Sequence, residues 1–163
     1  MNPKRYDNPI REANSNDKIN ILNVIGSHKE AKWDKPIAKK YFDDLFKYPD
    51  LFEKDKFYVI EESGTIIGVI GYSIDRYETT NYWLGWFYIH GDYCNKGYGK
   101  KLFHFIKDKL KLMNVKKLFV DTSSDVFYNT ALFSYITFGF KLEAIIKGYY
   151  GKNEDQLILS IDL

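Results

Sequence analysis

Cysteine is nearly absent: Cys94 stands alone in 163 residues, so no disulfide can form within the chain and no cysteine cluster can bind zinc. His28, His90 and His104 are scattered without ligand spacing, and no resident metal is expected. No apolar run approaches the roughly 20 residues that span a bilayer. The start, Met1-Asn2-Pro3-Lys4-Arg5-Tyr6, leads into polar sequence rather than the apolar core of a signal peptide. A cytoplasmic setting with no membrane partner is therefore expected. An excess of one charge is lacking too: 24 basic and 22 acidic residues leave a net +2, which disfavours nucleic acid as a partner. There is no repeat, low-complexity tract or linker, so one domain is expected over residues 1–163, with its core from about residue 10.

What the chain has in quantity is apolar and aromatic surface, 45% and 18% of residues, enough for a sizeable core. Ile10-Arg11-Glu12-Ala13 reads as a short first strand. A helix follows over about residues 16–25, with Asn16 or Asp17 as its cap and Ile19, Leu22 and Ile25 on one face. A second helix runs from Pro36 to about Tyr48, with Asp34 upstream as cap and Pro49 as stop. Two β-rich runs, 56–61 and 65–72, joined through Ser63-Gly64, read as a hairpin. The aromatic strand from Tyr82 to Ile89 comes next. Beyond Gly97, the spacing of Leu102, Ile106, Leu110 and Met113 predicts a helix packed on the sheet, with Lys107, Lys109 and Lys111 on a solvated face. The strand Lys117-Leu118-Phe119-Val120-Asp121, a last helix toward Phe140 and two terminal strands, 140–150 and 156–163, complete the order.

The run Asn95-Lys96-Gly97-Tyr98-Gly99-Lys100-Lys101-Leu102 carries the clearest chemical signal. A strand that enters a glycine turn and then a helix presents several backbone N–H groups to one point. There the helix dipole adds roughly half a positive charge, as a pyrophosphate requires. Lys100 and Lys101 are placed to hold outer phosphates. An ordinary helix start with glycine at its cap has the same spelling, so the motif needs its context.

That context is the downstream order and Tyr135, four residues before Gly139-Phe140, and with it the chain resembles the GNAT superfamily of N-acetyltransferases from about Ile10 to Leu163. The resemblance implies an α/β (α+β) fold, with a central mixed, mostly antiparallel sheet flanked by helices and splayed at an acetyl-CoA site. The family's pyrophosphate signature, Gln or Arg, two residues, Gly, one residue, then Gly or Ala, falls on Cys94-Asn95-Lys96-Gly97-Tyr98-Gly99. Cys94 departs from the usual Gln or Arg, which affects one contact near the pyrophosphate. Asn129 corresponds to the family's asparagine on the following helix, one residue nearer Gly139 than the commonest spacing. Backbone groups of Phe87, Tyr88 and Ile89 are expected to bond the pantetheine arm like an added strand. The two N-terminal helices are expected to border the acceptor site.

The implied reaction moves an acetyl group from acetyl-CoA to a primary amine of a small molecule or of a peptide or protein. An alkylammonium with a pKa near ~10.4 is neutral in about one part in 10³ at pH 7, a shortfall of roughly 4 to 5 kcal/mol, so a proton must be taken. The aromatic strand carries no carboxylate. Asp121, on the next strand, is the nearest counterpart to the family's glutamate, either relaying the proton through water or holding the Thr122-Ser123-Ser124 loop; His90 is a weaker candidate. Tyr135 matches the tyrosine that protonates the departing thiolate in this family, although a core aromatic would also fit its place.

Trp83, Trp86, Tyr72, Tyr149 and Tyr150 either line an aromatic acceptor pocket or belong to the core. The alternative to an enzyme is a regulatory or structural module that binds acyl-CoA without turnover. A Rossmann dinucleotide site is disfavoured, since Gly97-Tyr98-Gly99 lacks the third glycine and no acidic residue follows at the required place. An exposed terminal strand offers a route to a homodimer.

Overall fold

The computed structural model describes residues 9–29, 33–75 and 77–163; the start read above for a signal peptide, residues 1–6, lies outside them. Seven strands form one sheet in the order β1-β2-β3-β4-β5-β7-β6. They are β1 (Ile10–Glu12), β2 (Lys56–Glu62), β3 (Thr65–Ile74), β4 (Asn81–Ile89), β5 (Lys117–Ser123), β6 (Lys141–Gly151) and β7 (Glu154–Asp162). The helices are α1 (Lys18–Gly26), α2 (Asp34–Lys47), α3 (Tyr98–Leu112) and α4 (Asn129–Phe138). β4 and β5 run parallel, whereas β1 with β2, β5 with β7 and β6 with β7 are antiparallel. The mixed, mostly antiparallel sheet flanked by helices is the expected fold class.

The chain divides into two compact units: Met1–Ile70 with Trp86–Leu102, and Gly71–Gly85 with Phe103–Leu163. In the first, Ile21, Val24, Ile25, Ala38, Phe42 and Val59 are sealed from solvent, with Tyr41, Trp86 and Tyr88 packed against their cluster. The helix face differs from the periodicity reading, because Ile19 is 68% exposed while Ile21 and Val24 are buried. The reason is helix geometry: at about 100° per residue Ile19 is turned roughly 120° from Ile25, off the stripe that Ile21, Leu22, Val24 and Ile25 form. Residues 15–17 form a 3-10 turn capped by Asn14, with Asp17 and Asn14 bonded reciprocally, and α1 starts at Lys18. α2 starts earlier than expected, at Asp34, and Pro49 opens a 3-10 turn after it. The β2–β3 hairpin turns through Ser63 and Gly64, both at positive φ (51° and 78°).

In the second unit, Leu118 and Val120 on β5 are buried with Leu159 of β7 and with Phe103, Ile106 and Leu110 of α3. Phe103 stacks on Phe138 of α4 at 4.4 Å. Met113 lies past the end of α3 and is 44% exposed, its sulfur accepting from the Tyr72 hydroxyl at 3.7 Å. Gly139 ends α4 in the left-handed region, φ 100°.

One ionic junction ties the N-terminal strand to its surroundings. Arg11 donates to both carboxylate oxygens of buried Asp17, at 2.7 and 2.9 Å, and also bonds Glu61 at 2.8 Å. Asp17 further accepts the Asn14 N–H at 2.8 Å. The Arg11 bond, ahead of all other causes, holds the Asp17 carboxyl below the usual carboxylate range. We expect Asp17→Ala to lower stability by about 2 to 3 kcal/mol at pH 7, since a charged bond and a cap are lost together. A carboxyl whose folded pKa is depressed stabilises above its unfolded pKa, near ~3.9, and loses that contribution as pH falls through the folded value. Thermal melts of parent and variant should therefore converge in acid, and a constant gap down to pH 2 would contradict this assignment.

Candidate functional site

The first unit carries the glycine turn read above as an anion cradle. β4 ends at Ile89, a 3-10 turn covers Gly91–Tyr93, and α3 begins at Tyr98. Between them Asn95 and Gly97 both take positive φ, 60° and 88°, the alternation that turns successive N–H groups toward one point. A Cβ at Gly97 would meet nothing within 4 Å, so glycine is required there by the backbone angle and leaves an open surface over the amides. A Cβ at Gly99 would make only ordinary contacts, 3.7 Å from Ile89 and from Phe87. Asn95, Lys96, Gly97 and Lys100 are exposed. The Tyr98 hydroxyl donates to Glu62, pinning the first turn of α3 to β2, and Lys96 lies 5.0 Å from the Tyr93 ring. Open amides at the start of a 15-residue helix, with Lys96, Lys100 and Lys101 beside them, fit a pyrophosphate.

Cys94 is turned away from that cradle. Its thiol donates to the carbonyls of Ile89 and His90, both at 3.6 Å, and burial pushes its pKa up. A protonated thiol engaged with two carbonyls is no nucleophile. His28 Nε2 also bonds the Ile89 carbonyl at 2.7 Å, and Gly91 N–H donates to Ser27 Oγ at 2.9 Å. Phe87, Tyr88 and Ile89 thus end in a strand tip fixed from several sides, with the Tyr88 hydroxyl on Asp34. His90 caps the turn through Nδ1, which accepts the Asp92 N–H at 3.3 Å.

The second unit brings Asp121 and Tyr135 into electrostatic contact. Tyr135, on α4, is 7% exposed and lies edge-on to Phe140 at 5.7 Å. Burial first, and the charge of Asp121 second, raise its hydroxyl pKa well above the ordinary tyrosine value, so it keeps its proton at neutral pH. Asp121 does not hold the Thr122-Ser123-Ser124 loop. That loop is bonded through Ser123 Oγ to Glu154 and Asp125 N–H, and through Ser124 to Asp155. Asp121 Oδ2 instead accepts from Tyr150 at 3.1 Å and from Gln156 Nε2 at 2.8 Å. Burial and the same carboxylate raise the Tyr150 pKa. Asn129 is the exposed first residue of α4.

The five aromatic residues proposed for the acceptor separate. Tyr72 is buried, and Trp86 packs on the first unit's core beside Tyr41 and Phe42. Trp83 stacks on Phe119 at 5.1 Å, and Tyr149 lies edge-on to Tyr150 at 4.9 Å. Phe119 and Gln156 were not foreseen, because only strand pairing places them beside Trp83 and Asp121. Among the described residues, no group of three or more His, Cys, Asp and Glu side chains is gathered to hold a metal, and no helix is long and apolar enough to cross a membrane.

An aromatic strand that leads through a glycine turn into α3, with β5, α4 and two terminal strands beyond, is the order of elements that the resemblance implied. Residues 23–140 match the family model for the acetyltransferase (GNAT) family, and the chain belongs to that family of acetyltransferases. It is similar to a GNAT-family protein from Desulfovibrio desulfuricans (20% identity, TM-score 0.86, 94% of this chain and 98% of that one). It is also similar to the ribosomal-protein-S18-alanine N-acetyltransferase of Escherichia coli (18% identity, TM-score 0.73, 95% and 93% covered). A GNAT acetyltransferase from Elizabethkingia anophelis with acetyl-CoA bound matches over 72% of this chain and 82% of its own, at 18% identity and TM-score 0.60. No curated protein sequence matches the chain.

The cradle predicts opposite responses at its two glycines. Gly97→Val forces a β-branched residue to φ 88° and should weaken acetyl-CoA binding at least tenfold, whereas Gly99→Ala should keep both fold and affinity within about threefold. Titration calorimetry on the two folded variants would measure this. Equal affinities for both would detach the cradle from the ligand.

Proposed function

We propose that this protein is an N-acetyltransferase, a single domain over residues 1–163, that takes acetyl-CoA as co-substrate and acetylates a primary amine. The observation that carries the reading is the open, positive-φ cradle at Asn95 and Gly97 in front of α3. Amides of Gly97, Tyr98 and Gly99 would hold the pyrophosphate, with Lys96, Lys100 and Lys101 supplying charge. Backbone groups of Phe87, Tyr88 and Ile89 would bind the pantetheine arm. Bound acetyl-CoA supplies an acetyl thioester with a thiolate leaving group.

Tyr135 acts as the acid, giving its proton to the departing sulfur; its raised pKa keeps that proton in place beyond neutral pH. Asp121 acts as the base, taking the ammonium proton directly or through water. Tyr150 and Gln156 orient its carboxylate by bonding one oxygen. The likeness to the E. coli ribosomal-protein acetyltransferase supports an amine acceptor as the general class. We place the enzyme in the cytoplasm, without a membrane or nucleic-acid partner.

Titration with acetyl-CoA, with NADH as control, should show binding of acetyl-CoA alone. Tyr135→Phe should then lower turnover about 10²-fold with acetyl-CoA affinity unchanged, and unaltered turnover would remove Tyr135 from the mechanism. Asp121→Asn should lose rate at pH 7 and recover it in part toward pH 10, where free amine is abundant. Acetyl-CoA binding without transfer to any amine would point to a binding module instead.

A further inference from the structure

The register of the second unit sorts its side chains onto two unlike faces. Trp83 pairs with Phe119, Phe119 with Ser160, Asp121 with Ile158, and Ile158 with Ala144, while Gln156 lies opposite Ile146. Directly opposed residues share a face. The alternate residues of β5, Leu118, Val120 and Thr122, are buried, but Trp83, Phe119, Asp121, Ile158 and Gln156 are only half-buried. Ile146, at 43%, is more exposed still. The result is an apolar shelf with a carboxylate set into it: Trp83 and Phe119 lie to one side of Asp121, Ile158 lies across from it and Ile146 lies beyond.

Charge on this shelf is sparse and nearly all committed: Asp75 accepts the Trp83 indole N–H at 3.2 Å and two backbone N–H groups, and Lys117 lies 5.8 Å from the Phe119 ring. At the Lys117 end, Lys117 bonds Glu143 and Asp162 at 3.5 and 3.7 Å, and Glu143 also accepts from Ser160. Near the β6–β7 turn, Asp155 pairs with Lys147 at 2.8 Å and Glu154 accepts from Ser123. Asp121 differs, since both of its side-chain donors converge on Oδ2. Its Oδ1 has no donor among the described residues. Along a strand, residues i and i+2 are roughly 7 Å apart, so Phe119 lies from Asp121 at about the reach of a two-carbon linker bearing a ring.

Resting on the acetyltransferase reading above, we propose that this shelf is the acceptor subsite and that it selects a primary amine with one apolar, aromatic-sized arm. The nitrogen sits at Asp121 Oδ1, and the arm lies on Phe119 and Trp83. A polycation would require further open carboxylates, and a small hydroxylated amine would leave the shelf wet. Phe119 and Trp83 are thereby specificity-determining residues, acting through burial of the arm.

The test uses phenethylamine, ethanolamine, spermidine and an alanine-initiated peptide as acceptors of the full chain, with binding and KM read for each and acetyl-CoA affinity as the control. Phenethylamine should bind at least about tenfold more tightly than the others. Phe119→Ala should erase most of that preference, Phe119→Leu should restore part of it, and acetyl-CoA affinity should not move in either. Equal affinity across the four amines, tighter binding of ethanolamine, spermidine or the peptide, or a preference that survives in folded Phe119→Ala would overturn the proposal. If phenethylamine binds as expected while acetyl-CoA does not, the shelf stands and the acetyl-transfer reading falls.

Discussion

Trp86 holds a left-handed backbone, φ 46°, in the middle of β4, and the chemistry read from the first unit depends on it. An aromatic residue adopts that conformation at a cost of about 1 to 2 kcal/mol, so packing must hold it there. The indole lies 5.9 Å from the Tyr41 ring and 6.1 Å from the Phe42 ring, against a cluster whose members are sealed from solvent. The left-handed residue breaks the regular pleat, as bulges do where a strand must be re-aimed. The parallel register with β5 runs over Asn81, Tyr82 and Trp83, ahead of the break. Phe87, Tyr88 and Ile89 follow it, on the stretch whose backbone is proposed to bind an extended ligand arm. One strand thus carries a paired stretch and a stretch proposed for binding, separated by a conformation that aromatic packing supports.

The second unit applies the same logic to protons. A tyrosine works as an acid at neutral pH only if it keeps its proton and lies where charge develops, and burial secures the first condition for Tyr135. The carboxylate that adds to the effect is steered by Tyr150 and Gln156, which come from the last two strands. Asp121 and Tyr135 are thus compatible in their proposed roles. A negative charge near the hydroxyl makes it harder to ionise, which keeps on Tyr135 the proton that the proposed acid must give.

How far this was legible in the sequence follows from the range of each interaction. The turn into α3 was readable because its determinants are consecutive: Gly97 meets a local backbone demand, and Leu102, Ile106 and Leu110 repeat at helical spacing just beyond it. The hairpin through Ser63-Gly64 was readable for the same reason. The buried stripe of α1 differs at Ile19, since a strict i+3 series drifts by about 60° per step and carries Ile19 off the face that Ile21, Leu22, Val24 and Ile25 share. The partners of Asp121 were not readable at all. Tyr150 and Gln156 lie 29 and 35 residues away along the chain, and only the antiparallel register of β5 with β7 and the return of β6 bring them in. The aromatic residues show the same limit: Tyr72 and Trp86 entered cores while Trp83 and Tyr150 did not, and composition treats all four alike.

Cys94 shows how a departure from a family pattern is absorbed. In the proposed cradle the anion is held by backbone amides, and these depend on φ at Asn95 and Gly97 rather than on the side chain preceding them. A long polar side chain at 94 would add one contact to the ligand. The thiol here points back and donates to the carbonyls of Ile89 and His90, while His28 bonds the Ile89 carbonyl at 2.7 Å. Acceptors at the end of β4 that would otherwise seek water are thus met by protein, and the strand tip is held at the point where the turn into the cradle begins. What is given up in direct ligand contact is returned as rigidity of the backbone that makes the remaining contacts, which is why a small, weakly polar residue is compatible with this position.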